Sequence, residues 1–204
     1  MLVIVDFGVG NLSSIQNMFR KIGVRAVIAS SPEQLLKAEK IVFPGMGAFD
    51  NCMSLYNRSE IKPVINEIVL KKKIPFLGIC VGMQMLMQGS EEGQLPGLGW
   101  IKGMNKRFNS SLMSENQKIP NIGWHELRIN KPSPLMIGLE NSRFYFAHSY
   151  HLSDESQADI LGTAEHGYEY TVAVEHENII GVQFHPEKSH RFGLQLLKNF
   201  AENY

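Results

Sequence analysis

Short apolar runs alternate with stretches of helical periodicity over residues 1–88. Each run is nearly continuous, which is typical of a strand buried on both faces of a parallel sheet. The pattern predicts strands at 2–5, 24–29, 41–43 and 74–79, and helices at 12–22, 32–37 and 51–72, the last with a break near 58–59. Such alternation predicts right-handed crossovers and a parallel sheet covered by helices on both faces.

The pattern changes from residue 99 onward to strand-like pieces separated by turn residues. These pieces predict hairpins and a mixed sheet, with strands at 100–101, 127–129, 143–147, 160–164, 171–174 and 179–184. Residues 106–117, rich in Asn and Ser, predict a surface loop. A closing helix is predicted at 192–200, with Leu194, Leu197 and Phe200 facing inward.

One turn carries candidate chemistry. After the predicted strand at 74–79 the chain turns sharply into a predicted helix, through Gly78-Ile79-Cys80-Val81-Gly82. A glycine two residues away on each side would relieve crowding around a side chain at such a turn, as in nucleophile elbows, here with cysteine in place of serine. The helix N-terminus would favour a thiolate, and the Val81 N–H would lie near a developing oxyanion. A buried structural cysteine stays open as the alternative.

Composition and charge narrow the class of protein. The 20 basic and 20 acidic side chains cancel, and no basic run stands out, so no nucleic-acid or membrane-surface partner is expected. No apolar run approaches the ~20 residues of a membrane span. The start MLVIVDFG does not read as a secretory signal, and two cysteines fit a reducing compartment, so a cytoplasmic location is expected. A dinucleotide fingerprint beginning at Gly8 and Gly10 fails at Ser13, and neither cofactor nor metal is expected.

A cysteine nucleophile needs a base and a group that orients the base. Of the seven histidines, His185 alone ends an apolar run (179–184) and is followed by Pro186 and Glu187. Pro186 favours an extended His185, and residues two apart in extended chain project to the same side. The pattern therefore favours a Cys80–His185–Glu187 triad over a surface histidine near a surface glutamate.

The loops after three of the first four strands supply the rest of the predicted site. The loops after Asp6, Phe43 and Ile79 should converge at the carboxyl edge of the parallel sheet. The glycine-rich loop at 44–47 is either a tight turn or a backbone donor beside Cys80, and the second interpretation is favoured because the two loops follow neighbouring strands.

Several motifs resemble those of a known family. GICVGMQ and GVQFHPEKS resemble the signature pair of class I (triad) glutamine amidotransferases. DFGVGNLSS, FPGMGAFD, IPNIGWHEL and FYFAHSYH further resemble the glutaminase subunit of imidazole glycerol phosphate synthase. The resemblance spans residues 1–204 and implies a stand-alone glutaminase, without a fused synthase. The expected fold is α/β: a single domain with a central, mostly parallel mixed sheet flanked by helices, a nucleophile elbow, and a smaller antiparallel sheet.

The resemblance implies an activity and a partner. The activity is hydrolysis of L-glutamine to glutamate and ammonia. The ammonia would pass through a channel to a partner cyclase of (β/α)8-barrel fold, forming a heterodimer. The cyclase would make imidazole glycerol phosphate and an aminoimidazole carboxamide ribotide in histidine biosynthesis.

The resemblance also implies residue roles. Cys80 would be the nucleophile, His185 the acid–base group and Glu187 the orienting carboxylate. The backbone amides of Val81 and, after a backbone rearrangement, Gly47 would form the oxyanion hole. The residues that would hold glutamine are Gln84, Glu92, Ser149 and Tyr150. The residues that would lie at the partner interface and ammonia gate are Asn11, Trp124, Tyr145 and Lys188.

Two positions depart from the family pattern. Met46 stands where valine is usual, and His125 stands where asparagine is usual. His125 is expected near the partner-facing surface, which leaves open a paralogue that supplies ammonia for amidino-sugar synthesis in a surface-polysaccharide or flagellin-glycan pathway. A cysteine peptidase is disfavoured, because it would not need the residues that match glutamine-contacting positions. A non-enzymatic binding subunit is disfavoured, because the catalytic triad is intact.

Overall fold

The computed structural model describes residues 1–204 and contains thirteen strands and six α-helices. The strands are β1 (Leu2–Val5), β2 (Ala26–Ala29), β3 (Lys40–Gly45), β4 (Phe76–Cys80), β5 (Gly89–Ser90), β6 (Met104–Arg107), β7 (Asn121–Glu126), β8 (Arg128–Ile129), β9 (Arg143–His148), β10 (Tyr150–Ser153), β11 (Ile160–His166), β12 (Tyr168–His176) and β13 (Ile179–Val182). The helices are α1 (Leu12–Lys21), α2 (Pro32–Leu35), α3 (Phe49–Arg58), α4 (Lys62–Asn66), α5 (Val81–Gln84) and α6 (His190–Asn203).

Five strands form the parallel part of an eleven-stranded sheet, in the order β2-β1-β3-β4-β13. The sheet continues through antiparallel β12, β10 and β6 to the short β5, while β11 and β8 extend from β12. A separate antiparallel pair consists of β7 and β9. The predicted α/β class, with a mixed main sheet and a smaller antiparallel sheet, is confirmed.

The core surrounds the middle of the parallel part. Every residue of β1, β4 and β13 is buried, which explains why these strands read as unbroken apolar runs. Phe7 stacks on Phe43 with ring centroids 4.7 Å apart, and Tyr56 of α3 meets Phe43 edge-on at 5.3 Å. These contacts hold β3, and hence its neighbour β4, firmly under the helical layer.

Prediction was most accurate in the first half of the chain. Strand β1 has its predicted bounds, and the other three predicted strands and three helices are present with ends shifted by a few residues. The break in the long helical stretch is also confirmed, because α3 ends at Arg58 and Ser59 is extended. A π-helical turn, Glu67–Lys71, continues α4 toward β4.

The second half contains errors. Trp100-Ile101 is not a strand, because both backbone N–H groups donate to the Leu86 carbonyl and hold this segment against the turn after α5. Strands β5, β6, β7 and β10 were not predicted; they are short or polar, and pairing with a neighbour rather than apolar alternation defines them. Strand β6 also enters the predicted 106–117 loop.

The closing helix is longer than predicted. It begins at His190, and it buries Leu196 together with Leu197 and Phe200. Leu194 is only half-buried, but it packs against the core as predicted. None of the helices has both the length and the apolar character that crossing a membrane requires.

Candidate active site

Cys80 occupies a strained position at the junction of β4 and α5. Its backbone has φ +55° and ψ −114°, a conformation that side-chain-bearing residues rarely adopt. The strand behind it pairs with β3 on one side and β13 on the other. Cys80 therefore projects at the carboxyl edge of the parallel sheet, as the elbow pattern predicted.

Close backbone approach explains the glycines around the elbow. A Cβ at Gly82 would lie 2.1 Å from the Phe43 carbonyl oxygen, and one at Gly78 would lie 2.8 Å from the Gly82 carbonyl oxygen. Gly45, at the end of β3, is equally tight, since its Cβ would come within 2.4 Å of the Gly82 nitrogen. Side chains at these positions would push β3, β4 and α5 apart and displace Cys80.

The helix after Cys80 is shorter than the sequence suggested. Helix α5 is a single turn, Val81–Gln84, and the following backbone turns away to hydrogen-bond with residues 97–101. One turn aligns few peptide dipoles, so α5 contributes less to stabilising a thiolate than a full helix would. The neighbouring charged groups therefore carry more of that role.

His185 and Glu187 lie in the segment that follows β13 and contact each other. The Nδ1 of His185 lies 2.9 Å from Oε1 of Glu187, whose side chain is buried. A carboxylate only accepts hydrogen bonds, so Nδ1 carries the proton and Nε2 is left for Cys80. The predicted adjacency is present for a different reason: residues Pro186–Lys188 form a 3₁₀ turn rather than extended chain.

Electrostatics favours a charged His185. Burial of the ring disfavours the imidazolium, but the Cys80 sulfur and the Glu187 carboxylate outweigh burial and raise the pKa of His185 to about 10. The pair therefore stabilises the fold fully below pH 6.5, the ordinary histidine pKa, and this contribution is lost as the pH rises through about 10. At neutral pH the site holds an imidazolium beside a cysteine sulfur, the arrangement that activates cysteine nucleophiles.

The candidate residues converge on one cavity of about 270 Å³. Its lining includes most of the positions named from the sequence: Gly47, Cys80, Val81, Gln84, Glu92, Ser149, Tyr150, His185 and Lys188. Glu187 lies behind His185, out of the cavity lining. The three loops expected at the sheet edge also meet here, since Gly10 contacts Pro44 and Gly47 adjoins Cys80 in the lining.

The far wall of the cavity is held by hydrogen bonds to its backbone. Glu92 accepts from the Phe49 N–H at the start of α3, at 3.0 Å. Asp50 of the same helix accepts from the N–H groups of Gln94 and Leu95, which ties down the loop that carries Glu92. Gln84 is buried and donates to the Tyr150 carbonyl, which joins α5 to β10.

The two glycines of the loop at residues 44–47 have different surroundings. Gly45 is packed tightly against Gly82, so close approach, not flexibility, requires that glycine. Gly47 has φ +96° and open space around it, and Met46 between them is 47% exposed. The Met46 carbonyl accepts a hydrogen bond from the Cys52 thiol at 3.4 Å. Any rearrangement that presents the Gly47 N–H to the cavity must therefore occur at the 46–47 peptide.

Three of the predicted interface residues contact one another in series, beginning with Lys188 in the cavity lining. The Lys188 ammonium lies 5.5 Å from the Tyr145 ring centroid, and the Tyr145 ring lies 6.0 Å from that of Trp124. Trp124 is 40% exposed and stacks on His190, so it is not an ordinary core residue. Asn11 precedes α1 and makes no hydrogen bond or aromatic contact with these three residues.

His125 does not lie where the sequence comparison with the family suggested. Along β7 the exposed side chains are Ile122, Trp124 and Glu126, whereas His125 points to the other face of the strand. Its Nε2 lies 2.6 Å from Asn121 Oδ1, and its ring contacts Phe146. The departure at this position therefore changes the interior of the protein and not the exposed face of β7.

Two functional positions escaped the sequence reasoning. Gln183 is fully buried and donates to the Cys80 sulfur at 3.8 Å. Ser189 accepts from the Tyr145 N–H and donates to the His185 carbonyl, which fixes the turn that carries the base. The sequence does give one indication of Gln183, because it is the single amide side chain in the otherwise apolar run at 179–184.

Comparisons with known proteins agree with this geometry. The family model for class-I glutamine amidotransferases matches residues 3–204. Two similar curated proteins are the imidazole glycerol phosphate synthase subunit HisH of Leptospira borgpetersenii, 45% identical over 98% of this chain and 99% of that protein, and HisH 2 of Methanococcus maripaludis, 45% identical over 99% of each. A solved glutamine amidotransferase has a TM-score of 0.76 at 17% identity and covers 98% of this chain and 97% of its own.

The two cysteines should differ in reactivity. Iodoacetamide should alkylate Cys80 in the folded chain much faster than Cys52, because burial raises the pKa of the Cys52 thiol to about 11 and shields it from solvent. Peptide mass mapping after a short exposure measures this. Cys52→Ala should leave the fast labelling intact, whereas preferential labelling of Cys52 would contradict the assignment of Cys80.

The pKa of His185 should depend on Glu187. In Glu187→Gln the carboxylate that favours the imidazolium is gone while burial remains, so the pKa of His185 should fall well below about 10. Imidazole NMR titration measures the shift. Glu202→Gln, at an exposed glutamate of α6, is the matched control and should change nothing. An unaltered His185 titration in Glu187→Gln would argue against the pair.

Proposed function

The chain belongs to the class I glutamine amidotransferases, and on that basis we propose that it hydrolyses L-glutamine to glutamate and ammonia. The observation that carries the proposal is the alignment of Cys80, His185 and Glu187 at one cavity of about 270 Å³. The cavity is of a size suited to a single small amino acid and too small for a folded peptide segment.

The chemistry follows from the placement of the three side chains. The Cys80 thiolate attacks the carboxamide carbon of glutamine, and the carbonyl oxygen takes up the negative charge. The His185 imidazolium donates a proton to the departing nitrogen. The C–N bond breaks, ammonia leaves, and a thioester remains on Cys80. His185, now neutral, accepts a proton from water while the water oxygen attacks the thioester carbon. The C–S bond breaks, glutamate is released with the proton of its new carboxyl group passing to solvent, and the Cys80 thiolate beside the His185 imidazolium is restored.

The remaining cavity residues would bind the amino acid. The Val81 amide and, after rearrangement of the 46–47 peptide, the Gly47 amide would donate to the oxyanion. Gln84 uses both of its N–H groups within the protein, toward Tyr150 and Gln183, so that only its oxygen is available to the substrate. That oxygen, with Glu92 beside it, suits the α-ammonium group, and Ser149 and Tyr150 complete the wall.

We propose that the ammonia is delivered to a second subunit. The similar curated proteins are named as subunits of imidazole glycerol phosphate synthase, and the partner expected from the resemblance is a cyclase of (β/α)8 fold acting in histidine biosynthesis. Nothing in the comparisons favours the surface-sugar alternative. Ammonia released into water would be protonated and lost as a nucleophile, so the partner must cover the mouth of the cavity.

The surface around that mouth is suited to a partner. We call it the docking face, defined by Met46, Ile122, Trp124, Tyr145 and Lys188. Met46, Ile122 and Trp124 are three of the few large hydrophobic side chains that the protein exposes. Exposed apolar side chains together with aromatic residues are typical of the anchors of protein interfaces.

Glutamine hydrolysis should depend on the partner. The chain alone should hydrolyse glutamine about 10²–10³ more slowly than the complex with ligand-bound partner, because an oxyanion donor is missing until the 46–47 peptide rearranges. Glutamate release measures the two rates, and Cys80→Ala should abolish both without loss of the fold. Full turnover by the chain alone would contradict the dependence on the partner.

Lys188→Ala should uncouple the two reactions. With its ammonium removed from the Tyr145 ring, glutamine hydrolysis should persist while glutamine-dependent product formation falls, and added ammonium salt should restore the product. Parallel assays of glutamate and of the cyclase product measure this. Lys198→Ala, at an exposed lysine of α6, is the matched control and should stay coupled. Tight coupling in Lys188→Ala would place the docking face elsewhere.

A further inference from the structure

Gln183 is the residue next to the proposed nucleophile in the neighbouring strand. Strands β13 and β4 are parallel with Val182 opposite Ile79, so the next residues along, Gln183 and Cys80, lie side by side at the sheet edge. Gln183 is completely buried. A buried amide requires partners for both its nitrogen and its oxygen, and those partners show what it does.

The two ends of the Gln183 amide have different partners. Its Nε2 lies 3.8 Å from the Cys80 sulfur, and its Oε1 accepts from Gln84 Nε2 at 3.0 Å. The second N–H of Gln84 donates to the Tyr150 carbonyl oxygen at 3.1 Å. Since oxygen and nitrogen of an amide exchange places on a flip, these roles depend on what orients the two amides.

The contact with Tyr150 determines the orientation of both amides, because the Tyr150 backbone carbonyl can only accept a hydrogen bond. Gln84 must therefore direct its nitrogen to Tyr150, and the same nitrogen must meet an acceptor on Gln183. That acceptor is Oε1, which leaves the N–H₂ group of Gln183 for Cys80. No flipped arrangement of either amide satisfies all three contacts.

A second branch of the network holds the Tyr150 carbonyl in place. It also accepts from His148 Nδ1 at 2.8 Å, and burial lowers the pKa of His148 to about 3, so the ring is neutral with its proton on Nδ1. The Nε2 of His148 then accepts from the Tyr170 hydroxyl at 3.3 Å, which itself accepts from Asn121 Nδ2 at 2.9 Å. Strands β7, β9 and β12 thus support one carbonyl of β10 beside the cavity.

We propose that Gln183 positions the reacting sulfur: its amide N–H donates to Cys80, and its amide oxygen locks Gln84 with the Gln84 oxygen facing the cavity. The inference rests on the proposed function for its purpose. A donor stabilises a thiolate more than a thiol, so Gln183 favours the reactive form of Cys80. The same amide prevents Gln84 from presenting an N–H to the substrate ammonium.

The ionisation of Cys80 distinguishes this role from a purely structural one. Gln183→Met removes the amide while keeping a side chain of similar length. The change alters none of the titratable groups near Cys80, which are His185 with its partner Glu187, Glu92, Cys52, His148, Tyr150 and Lys188. The rate of Cys80 alkylation by iodoacetamide, followed against pH, reports the thiolate directly.

The midpoint of that alkylation profile should rise by about one pH unit in Gln183→Met, with an alkylation rate about tenfold lower below the midpoint. Asn199→Ala is the matched control, since Asn199 is also a buried amide but donates to the Leu135 and Ile137 carbonyls away from the site. It should lower the melting temperature and leave the midpoint unchanged. Should methionine prevent folding, Gln183→Ala makes the same test with a smaller side chain.

An unchanged midpoint in a folded Gln183 variant would overturn the proposal and leave Gln183 as a structural amide. Steady-state kinetics of the complex add a second readout: kcat should fall with the thiolate fraction and KM should rise as Gln84 is released. Failure of the proposed function would look different. The unaltered complex would then release no glutamate from glutamine, while the shift of the Cys80 alkylation profile between Gln183→Met and the unaltered chain would persist.

Discussion

The close contact between the end of β3 and the turn after β4 is the constraint on which the rest of the site depends. Gly45, Gly78 and Gly82 allow backbones to approach to distances that no Cβ tolerates. With these strands and the turn in contact, Cys80 is held at φ +55° and its side chain is directed out of the sheet edge. The strain is concentrated at one residue and is maintained by the packing of its fully buried neighbours.

The charges of the site depend on that placement. Cys80 ends β4, His185 follows three residues after the end of the neighbouring parallel strand β13, and Glu187 turns back under His185 through one 3₁₀ turn. Removing Glu187 would leave the buried imidazolium without its carboxylate, which disfavours the charged ring and lowers the pKa of His185. The short α5 makes this pair, with the Gln183 amide, the main local support for negative charge on the sulfur.

Strand β7 serves two environments because side chains alternate along it. Ile122 and Trp124 face outward on the docking face, while Asn121 and His125 face inward. Asn121 belongs to the hydrogen-bonded network that ends at the Tyr150 carbonyl and Gln84. A partner that moved β7 would therefore act on groups that line the cavity, although only a two-state change shared by both faces would make that coupling allosteric.

The sequence by itself determined the local parts of this protein. Steric demands act between neighbouring residues, so the Gly78–Gly82 spacing around Cys80, the apolar runs of β1 and β4, and the His185–Glu187 pair could be predicted from short segments. The order of strands and helices likewise predicted the sheet edge at which the loops would meet.

Tertiary structure alone decided the rest. Gln183 and Gln84 are 99 residues apart, and Gln84 and Tyr150 are 66 apart, so their contacts depend on strand register. Strands β6, β7 and β10 are polar and exist because a neighbour pairs with them, and α5 ends after one turn because residues 97–101 bond to the chain that follows. Hydrogen bonds between distant segments leave little periodic signal in a sequence, because any polar residue at the right register can make them.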